Sequence, residues 1–213
     1  PSHQGVVRLY CDIIESDGRP YAYDARNYLR HTVKESLKAG LDIKLGLNSE
    51  FYLFKADEEG NPTSIPLDNG SYFDISPLDK CENIRREICL TIEEMGLKPE
   101  RSHHEEGPGQ NEIDFHYGTP LEAADHMSTF MMAVSTIAER NGLYADFSPL
   151  PLKDKPGNGY HINIYAVNGL GEDIGRSVAA GIYDRIQDMT LFLNPSDSSY
   201  RRLGINTAPN RVN

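Results

Sequence analysis

The sequence is poor in basic residues. It holds 21 lysines and arginines against 32 aspartates and glutamates, so its formal net charge at pH 7 is -11. Proteins that bind nucleic acid or anionic membrane surfaces usually carry a basic stripe or patch. We therefore expect neither a nucleic-acid partner nor a membrane partner for this chain.

Cysteine is also scarce. The three cysteines, Cys11, Cys81 and Cys89, are odd in number and show no Cys-x-x-Cys spacing. This pattern argues against both a disulfide framework and a zinc knuckle. Cys81 and Cys89 lie in a segment with apolar helical periodicity, where we expect them to pack as small core residues.

Long hydrophobic runs are missing too. No apolar stretch approaches the ~20 residues that a membrane-spanning helix needs, and no signal peptide is recognisable. The sequence therefore predicts a cytoplasmic location. Its first residue is Pro1, and residues 211–213 carry no helix cap or tail signal, so we expect a fragment of a longer protein.

The sequence does contain an alternation of strand and helix patterns. Residues 9–14, 43–45 and 50–54 have the short apolar runs typical of strands. Residues 84–95 and 178–193 have the apolar spacing of amphipathic helices. Several strands come in closely spaced pairs, which antiparallel hairpins explain. The predicted fold class is therefore α+β, with a largely antiparallel sheet flanked by helices and no interior linker.

Two helix starts are predicted at single residues. Asp24 is suited to cap a helix that ends at Gly40. Thr119 and Glu122 have the spacing of a capping box, with Pro120 at the first helical position. We therefore expect a second capped helix to begin directly after Thr119.

The most informative segment is acidic and spans residues 102–114. Its sequence, Ser-His-His-Glu-Glu-Gly-Pro-Gly-Gln-Asn-Glu-Ile-Asp, holds four carboxylates and two histidines. A buried carboxylate needs a cation or a hydrogen bond, so this is a poor pattern for an ordinary core segment. Clustered oxygen ligands are instead what Mg²⁺ or Mn²⁺ requires.

Strand alternation sorts the side chains in and around this segment. Glu112 and Asp114 share one face of a predicted strand. In the strand that begins at His161, Ile162 and Ile164 point away from the polar side chains and are predicted to anchor the core. Each strand thus offers one apolar face and one face with candidate metal ligands.

A third predicted strand carries Glu50 on its polar face. If the three strands are neighbours, Glu50, Glu105 and Glu112 converge on one cation, and His161 lies near a second. Each residue alone has a plainer explanation, because a lone strand glutamate usually faces solvent and a lone histidine is usually structural. Their joint pattern, with a glycine-rich turn before His161, favours a site.

Five segments of the sequence, in the same order, resemble the signature motifs of the glutamine synthetase family of glutamate–amine ligases. They are Gly-Leu-Asn-Ser-Glu-Phe-Tyr-Leu-Phe at 46–54, the acidic segment at 102–114, Phe-Ser-Pro-Leu-Pro at 147–151, Gly-Asn-Gly-Tyr-His-Ile-Asn at 157–163, and Asn-Pro-Ser-Asp-Ser-Ser-Tyr-Arg-Arg-Leu at 194–203. One such motif is weak, whereas five in order over nearly the whole chain are specific. The resemblance implies the curved-sheet catalytic-domain fold of glutamine synthetases and guanidino kinases.

The resemblance also implies a reaction and a set of site residues. The reaction is ATP-dependent ligation of glutamate to ammonia or an amine through a γ-glutamyl phosphate. Divalent cations and arginine offset the repulsion between the nucleotide and the anionic amino acid. The implied set comprises the metal ligands Glu50, Glu105, Glu112 and His161, the substrate-binding residues Gly157, His161 and Arg202, the catalytic residue Arg202, and the nucleotide-binding residues Glu100 and Asn163.

Several residues depart from the family pattern. Asn48 takes the place of a glutamate that binds the second metal, and a neutral carbonyl binds such ions less strongly. Asn163 replaces a histidine that lies by the nucleotide in the family. Thr207 falls where the family has a flap glutamate, and a threonine hydroxyl is no base at neutral pH. Leu150 replaces a lysine and is a milder change.

The resemblance further implies that residues 1–213 are a partial catalytic domain. The family's N-terminal β-grasp domain and the C-terminal part of its catalytic domain lie outside them. We therefore expect the fragment to be inactive alone and the full-length protein to form a homo-oligomeric ring.

Two alternatives stay open at the level of sequence. One is a non-catalytic relative that binds nucleotide, metal or glutamate for regulation, and the other is a γ-glutamyl ligase for an amine other than ammonia. A guanidino kinase is disfavoured because its nucleophile-handling motifs are absent, and a metallohydrolase would not explain residues 194–203.

Overall fold

The structure is a computed structural model that describes residues 7–203. Within them, six strands form one antiparallel sheet. The strands are β1 (Leu41–Ala56), β2 (Pro62–Pro66), β3 (Pro99–His104), β4 (Gln110–Phe115), β5 (Leu143–Asp146) and β6 (Tyr160–Asn168). The helices are α1 (Ala25–Lys38), α2 (Glu82–Glu94), α3 (Pro120–Arg140), α4 (Gly175–Leu193) and α5 (Asp197–Arg202). The predicted α+β class, a curved antiparallel sheet with flanking helices, is confirmed.

The long strand β1 organises the sheet because it pairs with four other strands. One edge of β1 pairs with β4 and then β2, and the other edge pairs with β6 and then β5. Strand β3 adds to the sheet by pairing with β4. Residues near the middle of β1 therefore have neighbours on both sides, and their side chains share a face with side chains of β4 and β6.

Helices α2 and α3 cover the apolar face of this sheet. Phe51, Leu53 and Ile113 of the strands are fully buried there with Phe130 of α3. The Phe130 ring packs edge-on to the rings of Phe51 and Phe115, with centroids 6.0 and 5.1 Å apart. Because successive residues of a strand alternate between faces, the opposite face is left for polar side chains.

The predicted helix caps are confirmed. The Asp24 side chain accepts two backbone N–H groups in the first turn of α1, and Gly40 follows the end of that helix with φ of 77°. Thr119 and Glu122 form a reciprocal capping box at the start of α3. These polar contacts satisfy N–H groups that the first turn of a helix leaves without a partner.

Two strand predictions need correction. Residues 9–14 do not form a strand, since only Ile14 makes an isolated bridge, to Pro20. The runs predicted at 43–45 and 50–54 belong to the single strand β1, which continues through Gly46. A Cβ at Gly46 would lie 3.2 Å from the Tyr117 ring, so this glycine allows close packing and does not break the strand.

The prediction that Ile162 and Ile164 anchor the core is wrong. Their side chains are 44% and 39% exposed. They pair with Leu47 and Leu45 of β1 and so lie on the apolar face, but they are not part of the core under α2 and α3. Alternation fixes the face on which a side chain lies, whereas burial also requires an element packed over it.

Helix α4 is the most exposed of the long helices. It buries none of its residues, and Tyr183 and Phe192 are 79% and 81% exposed.

Among residues 7–203, no helix combines the length and the apolar character needed to cross a bilayer.

Candidate active site

The polar face of the sheet gathers acidic side chains from neighbouring strands. The register places Glu50 of β1 opposite Glu112 of β4, and His103 of β3 opposite the same glutamate. Residues paired in this way project from the same face of a sheet. Strand β6, which carries His161, pairs with the other edge of β1. The expectation that the strands of Glu50, Glu112 and His161 are neighbours is therefore confirmed.

His103, Glu105 and Glu112 form the centre of this face. His103 Nε2 lies 3.0 Å from Glu105 Oε1 and 3.2 Å from Glu112 Oε2. One ligand atom from each of the three residues lies within 4.8 Å of the others. The Glu105 carboxylate is also held by the backbone N–H of Glu106 at 2.9 Å.

The protonation of this centre follows from its charges. Burial acts to lower the pKa of His103, but hydrogen bonds to Glu105 and Glu112 outweigh it and raise the pKa to about 9. Burial acts to raise the pKa of Glu112, yet the His103 ring and its other partners lower it to about 2. Burial raises the pKa of Glu105. At neutral pH His103 is therefore a cation held between the two glutamates.

Glu50 extends the cluster toward β6. Its carboxylate accepts a hydrogen bond from Gln110 Nε2 at 2.8 Å and lies 3.8 Å from His161 Nε2. The interaction with Glu50 raises the pKa of His161. A Cβ at Gly159 would lie 2.5 Å from His161 Nε2 and 2.6 Å from Glu50 Oε1. Glycine at this position therefore lets the two side chains approach each other.

The loop before β6 is fixed by the buried side chain of Asn158. Its Nδ2 donates to the carbonyls of Asp146 and Ser148, each at 2.9 Å, and its Oδ1 accepts from Gln110 Nε2 at 3.2 Å. Gln110 thus links this loop to Glu50. The backbone around Gly159 is held against the acidic cluster by these contacts.

Arg202 of α5 lines the site on the side of that loop. A Cβ at Gly157 would lie 2.7 Å from Arg202 Cδ, so the loop backbone packs directly on the arginine. Arg202 Nε is buried and has no hydrogen-bond partner in the described part of the chain. Arg202 borders a cavity of about 420 Å³ together with Glu50 and Gly159. A guanidinium group in this place is suited to a carboxylate or phosphate.

Two asparagines, Asn48 and Asn163, lie on the polar face beside Glu112 and Asp114. Asn163 Nδ2 donates to Asn48 Oδ1 at 2.5 Å. Asn48 Nδ2 in turn donates to Asp114 Oδ1 at 2.6 Å and to Glu112 Oε1 at 3.2 Å. Arg101 Nη2 lies 2.9 Å from the second oxygen of Asp114. Burial and the charge of Glu112 raise the pKa of Asp114 to about 6.

The fully buried His104 holds the turn that carries Glu105. His104 Nδ1 donates to the backbone carbonyl of Glu105 at 2.7 Å, and its Nε2 lies 3.0 Å from Asp68 Oδ1. The same Asp68 oxygen accepts the backbone N–H groups of Gly70 and Gly109 at 3.0 and 2.9 Å. The turn that presents Glu105 is therefore anchored at both ends.

The structure brings most of the predicted site residues together. Those found on or beside the polar face are Glu50, Glu105, Glu112, Gly157, His161, Asn163 and Arg202. Glu100 is exposed at an irregularity in the pairing of β3 with β4, and its side chain makes no hydrogen bond or ion pair to the cluster within residues 7–203. Thr207 lies outside the described residues.

Sequence reasoning missed an aromatic contact with His103. The Phe73 ring stacks on the His103 ring with centroids 4.5 Å apart, and the Tyr72 ring meets it edge-on at 5.7 Å. Phe73 has φ of 60°, which is uncommon for a residue other than glycine. Its backbone N–H donates to the carbonyl of His104 at 3.0 Å. No periodic pattern signals such a contact, because it depends on the path of a loop.

An acidic cluster beside a cavity bordered by an arginine has the chemistry that suits a hard divalent cation and an anionic ligand. The carboxylates of Glu50, Glu105 and Glu112 are the donor type that Mg²⁺ or Mn²⁺ takes. The family profile described as "Glutamine synthetase, catalytic domain" matches residues 22–212. The chain belongs to this family.

Curated relatives agree with this membership. The chain is 38% identical over 216 residues to the glutamine synthetase of Clostridium saccharobutylicum, covering 95% of this chain and 48% of the relative. It is 40% identical over 211 residues to the glutamine synthetase of Staphylococcus aureus strain MW2, covering 93% and 47%. The chain thus spans about half the length of the curated relatives it matches.

Solved structures share the fold. A structure described as apo GmaS without ligand has a TM-score of 0.78 and 27% identity, over 88% of this chain and 48% of that chain. A cryo-EM structure of Plasmodium falciparum glutamine synthetase has a TM-score of 0.79 over 93% of this chain and 50% of that chain. Its identity is 22%, so it supports the fold alone.

Proposed function

We propose that the whole protein joins glutamate to ammonia or another amine in an ATP-dependent reaction that passes through γ-glutamyl phosphate. The observation that carries this proposal is the close grouping of Glu105 and Glu112 on the face that also carries Glu50, beside a cavity that Glu50 and Arg202 both line. Membership of the glutamine synthetase family supports the same reaction.

The proposed metal ligands are Glu50, Glu105, Glu112 and His161. A bound Mg²⁺ or Mn²⁺ ion would offset the negative charge of the nucleotide phosphates and of glutamate. His103 lies between two of these carboxylates. We propose that the ring is displaced from this place when a cation is bound, since both occupy the same negative potential.

Arg202 is the proposed catalytic residue and binds the glutamate carboxylate or the transferred phosphoryl group through its planar fork. Gly157 and His161 complete the proposed substrate contacts, and the close packing of Gly157 on Arg202 holds the guanidinium in place. Glu100 and Asn163 are proposed to contact the nucleotide. For Glu100 this proposal rests on the motif match, because its side chain does not reach the cluster.

We also propose that residues 1–213 are one part of a catalytic domain whose site is completed by other parts of a longer protein. An N-terminal domain of the neighbouring subunit in a homo-oligomeric ring would supply the remaining wall. This proposal predicts no ligase activity for the fragment alone. We propose a cytoplasmic location for the assembly.

A second candidate function is regulatory binding of nucleotide, metal or glutamate without turnover. The observation that favours it is Asn48, a neutral amide that is hydrogen-bonded to the carboxylates of Glu112 and Asp114. The retained carboxylates and Arg202 favour catalysis.

The test is phosphate release from ATP by the full-length protein with glutamate and a panel of amines that includes ammonia. Release that depends on both glutamate and an amine supports the ligase. Nucleotide binding without turnover for any amine contradicts the ligase and supports the regulator. The preferred amine follows from the ratio of kcat/KM values across the panel.

Two variants with the same change of charge sharpen this test. Glu105→Gln removes a proposed metal ligand, whereas Glu106→Gln changes the adjacent, exposed glutamate. We expect Glu105→Gln to abolish amine-dependent release and Glu106→Gln to retain it. Equal activity of the two variants would contradict the assignment of Glu105.

A further inference from the structure

The buried carboxylate of Asp68 lies next to the turn that carries the proposed metal ligand Glu105. Asp68 belongs to the loop between β2 and α2 and is only 5% exposed. Its Oδ1 lies 3.0 Å from Nε2 of the fully buried His104, the residue directly before Glu105. We infer that Asp68 is a positioning residue, which acts through His104 and the turn to fix the Glu105 carboxylate for metal binding. This inference rests on the proposed function.

The His104 ring links Asp68 to the backbone of Glu105. Its Nδ1 lies 2.7 Å from the carbonyl oxygen of Glu105, and its Nε2 faces Asp68. A carbonyl oxygen and an ionised carboxylate only accept hydrogen bonds, so both ring nitrogens donate. A Cβ at Gly70 would lie 2.6 Å from His104 Nε2, so the backbone of the Asp68 loop packs directly on the ring. The ring thus connects the position of Asp68 to that of the proposed ligand.

Asp68 also holds the far end of the same turn. Its Oδ1 accepts the backbone N–H of Gly109 at 2.9 Å. The Gly109 carbonyl accepts the N–H of Leu53 of β1 at 2.8 Å, and the Glu105 N–H closes the turn by donating to the carbonyl of Gln110 at 2.8 Å. One carboxylate oxygen therefore holds the turn at both of its ends. The direction in which the Glu105 side chain leaves the turn depends on this oxygen.

The remaining contacts of Asp68 fix the carboxylate within its own loop. Its Oδ2 accepts the backbone N–H of Lys80 at 2.9 Å and the Sγ–H of Cys81 at 3.4 Å. Its Oδ1 accepts the backbone N–H of Gly70 at 3.0 Å. Because donors surround both oxygens, an amide at this position would turn an N–H group toward another donor in either orientation. Asp68→Asn therefore breaks the network with little change in volume.

The charges of this buried group are balanced by side chains. Asp68, Asp79, Cys81 and His104 each bring one potential ligand atom within 4.8 Å of the others. Arg85 Nη2 pairs with Asp79 Oδ2 at 2.6 Å, and His104 donates to Asp68. The group is therefore suited to support the neighbouring turn and is a poor place for a cation of its own.

The test measures the Mn²⁺ affinity of the full-length protein by isothermal titration calorimetry. We expect Asp68→Asn to lower the affinity of the site that contains Glu105 by about 10- to 100-fold, the size seen when supporting residues of metal sites are changed. Asp24→Asn is the matched control, because Asp24 is 7% exposed and accepts three backbone N–H groups at the start of α1, outside the acidic cluster. Its Mn²⁺ affinity should equal that of the unsubstituted protein.

A double-mutant cycle with Glu105→Gln separates positioning from a general loss of stability. If Asp68 acts through Glu105, Asp68→Asn should cause little further loss of Mn²⁺ affinity in the Glu105→Gln background. Losses that add in full would overturn the inference, and so would unchanged affinity in Asp68→Asn. Thermal unfolding shows which variants are folded at the temperature of the titration.

His104→Asn is a second variant that keeps the inference testable if Asp68→Asn does not fold. The shorter amide can still donate to the Glu105 carbonyl but does not reach Asp68. We expect the same loss of Mn²⁺ affinity and the same lack of additivity with Glu105→Gln. Unchanged affinity in folded His104→Asn would overturn the inference.

Failure of this inference can be told apart from failure of the proposed function. Unchanged Mn²⁺ affinity in Glu105→Gln would refute the assignment of Glu105 as a metal ligand, and the positioning role of Asp68 with it. A loss of affinity in Glu105→Gln together with unchanged affinity in Asp68→Asn would refute the positioning role alone.

Discussion

At the scale of single residues, His103 lies where a metal ion is proposed to bind. It pairs with Glu105 and Glu112, and these partners raise its pKa to about 9. A cation among the same carboxylates cancels the negative potential that keeps the ring protonated. If the proposed metal ligands are correct, a proton on His103 and a metal ion compete for the same two carboxylates.

We predict that Mn²⁺ binding to the full-length protein releases a proton from His103. Because the pKa of His103 is raised to about 9, the competing proton is bound below about pH 9 and lost above it. Mn²⁺ affinity should therefore rise with pH across the range from 7 to 9. Calorimetry in buffers of different ionisation enthalpy measures the number of protons released.

His103→Asn should remove this proton release, whereas His116→Asn, at an exposed position after β4, should keep it. A proton count that is the same in the His103 variant and the unsubstituted protein would show that another group titrates.

Gly159 is predicted to be required for the geometry of Glu50 and His161. The Cβ of Gly159→Ala would come within 2.6 Å of both side chains, so they must move apart. We expect Mn²⁺ affinity to fall by about tenfold or more, the size seen when supporting residues of metal sites are changed. Dialysis measures the affinity, and thermal unfolding checks the fold.

Gly181→Ala is the control for this glycine, because the position lies on α4 with open space around its Cβ. It should leave Mn²⁺ affinity unchanged. Unchanged affinity in Gly159→Ala would mean that the loop before β6 adjusts without moving the ligands.

Residue identity was enough to nominate the side chains, and strand register explains why the structure brings most of them to one face. The spacing within residues 102–114 was sufficient to nominate Glu105 and Glu112. The link between Asn48 and Asn163 was not predictable from local sequence, because it depends on the pairing of two strands that are more than a hundred residues apart. The stacking of Phe73 on His103 depends on a loop and has no periodic signature.

At the scale of elements, α3 is fixed to the sheet by aromatic packing. Phe130 is fully buried and contacts rings from β1 and β4. We predict that Phe130→Ala lowers the free energy of unfolding by about 3–5 kcal/mol, because it leaves a cavity in a packed core. Denaturant unfolding followed by circular dichroism measures this loss in the free energy of unfolding.

Leu90→Ala provides the comparison on α2, where the side chain is 56% exposed. Its effect should be within about 0.5 kcal/mol, as is usual for surface positions. Similar losses in the two variants would contradict the assignment of Phe130 to the core.

Elements were predicted well where a local signal exists. The caps at Asp24 and Thr119 follow from side-chain chemistry within a few residues, and both helices begin as predicted. The strand expected at 9–14 was wrong because an apolar run forms a strand only where a partner strand is available. The predictions for Ile162 and Ile164 failed for a related reason, since burial depends on which helix lies above the sheet.

At the scale of the whole molecule, helix α4 carries several apolar side chains that remain exposed to solvent in the described part of the chain. They comprise Tyr183, Ile186, Leu191, Phe192 and Leu193. Contiguous apolar surface on a folded protein commonly marks a contact with other protein surface. This is consistent with the proposal that a larger assembly contains this domain.

We predict that the 213-residue chain binds the dye 1-anilinonaphthalene-8-sulfonate at α4. The double substitution Tyr183→Ser and Phe192→Ser should lower the dye fluorescence, because it removes two of the most exposed aromatic rings on that helix. Leu90→Ser, an exposed apolar change on α2, is the control and should have a smaller effect. Equal fluorescence of the double variant and the unsubstituted chain would refute binding at this helix.

The position of β1 also constrains how this site can change during evolution. Glu50 projects into the site while Phe51 projects into the core, so inserting or deleting one residue in β1 would exchange the two faces. Its pairing with β4 and β6 would then bring apolar rings to the ligands and carboxylates to the core at the same moment. Lineages that keep this fold are therefore expected to diversify the site by point substitution and to confine length changes to the loops between strands.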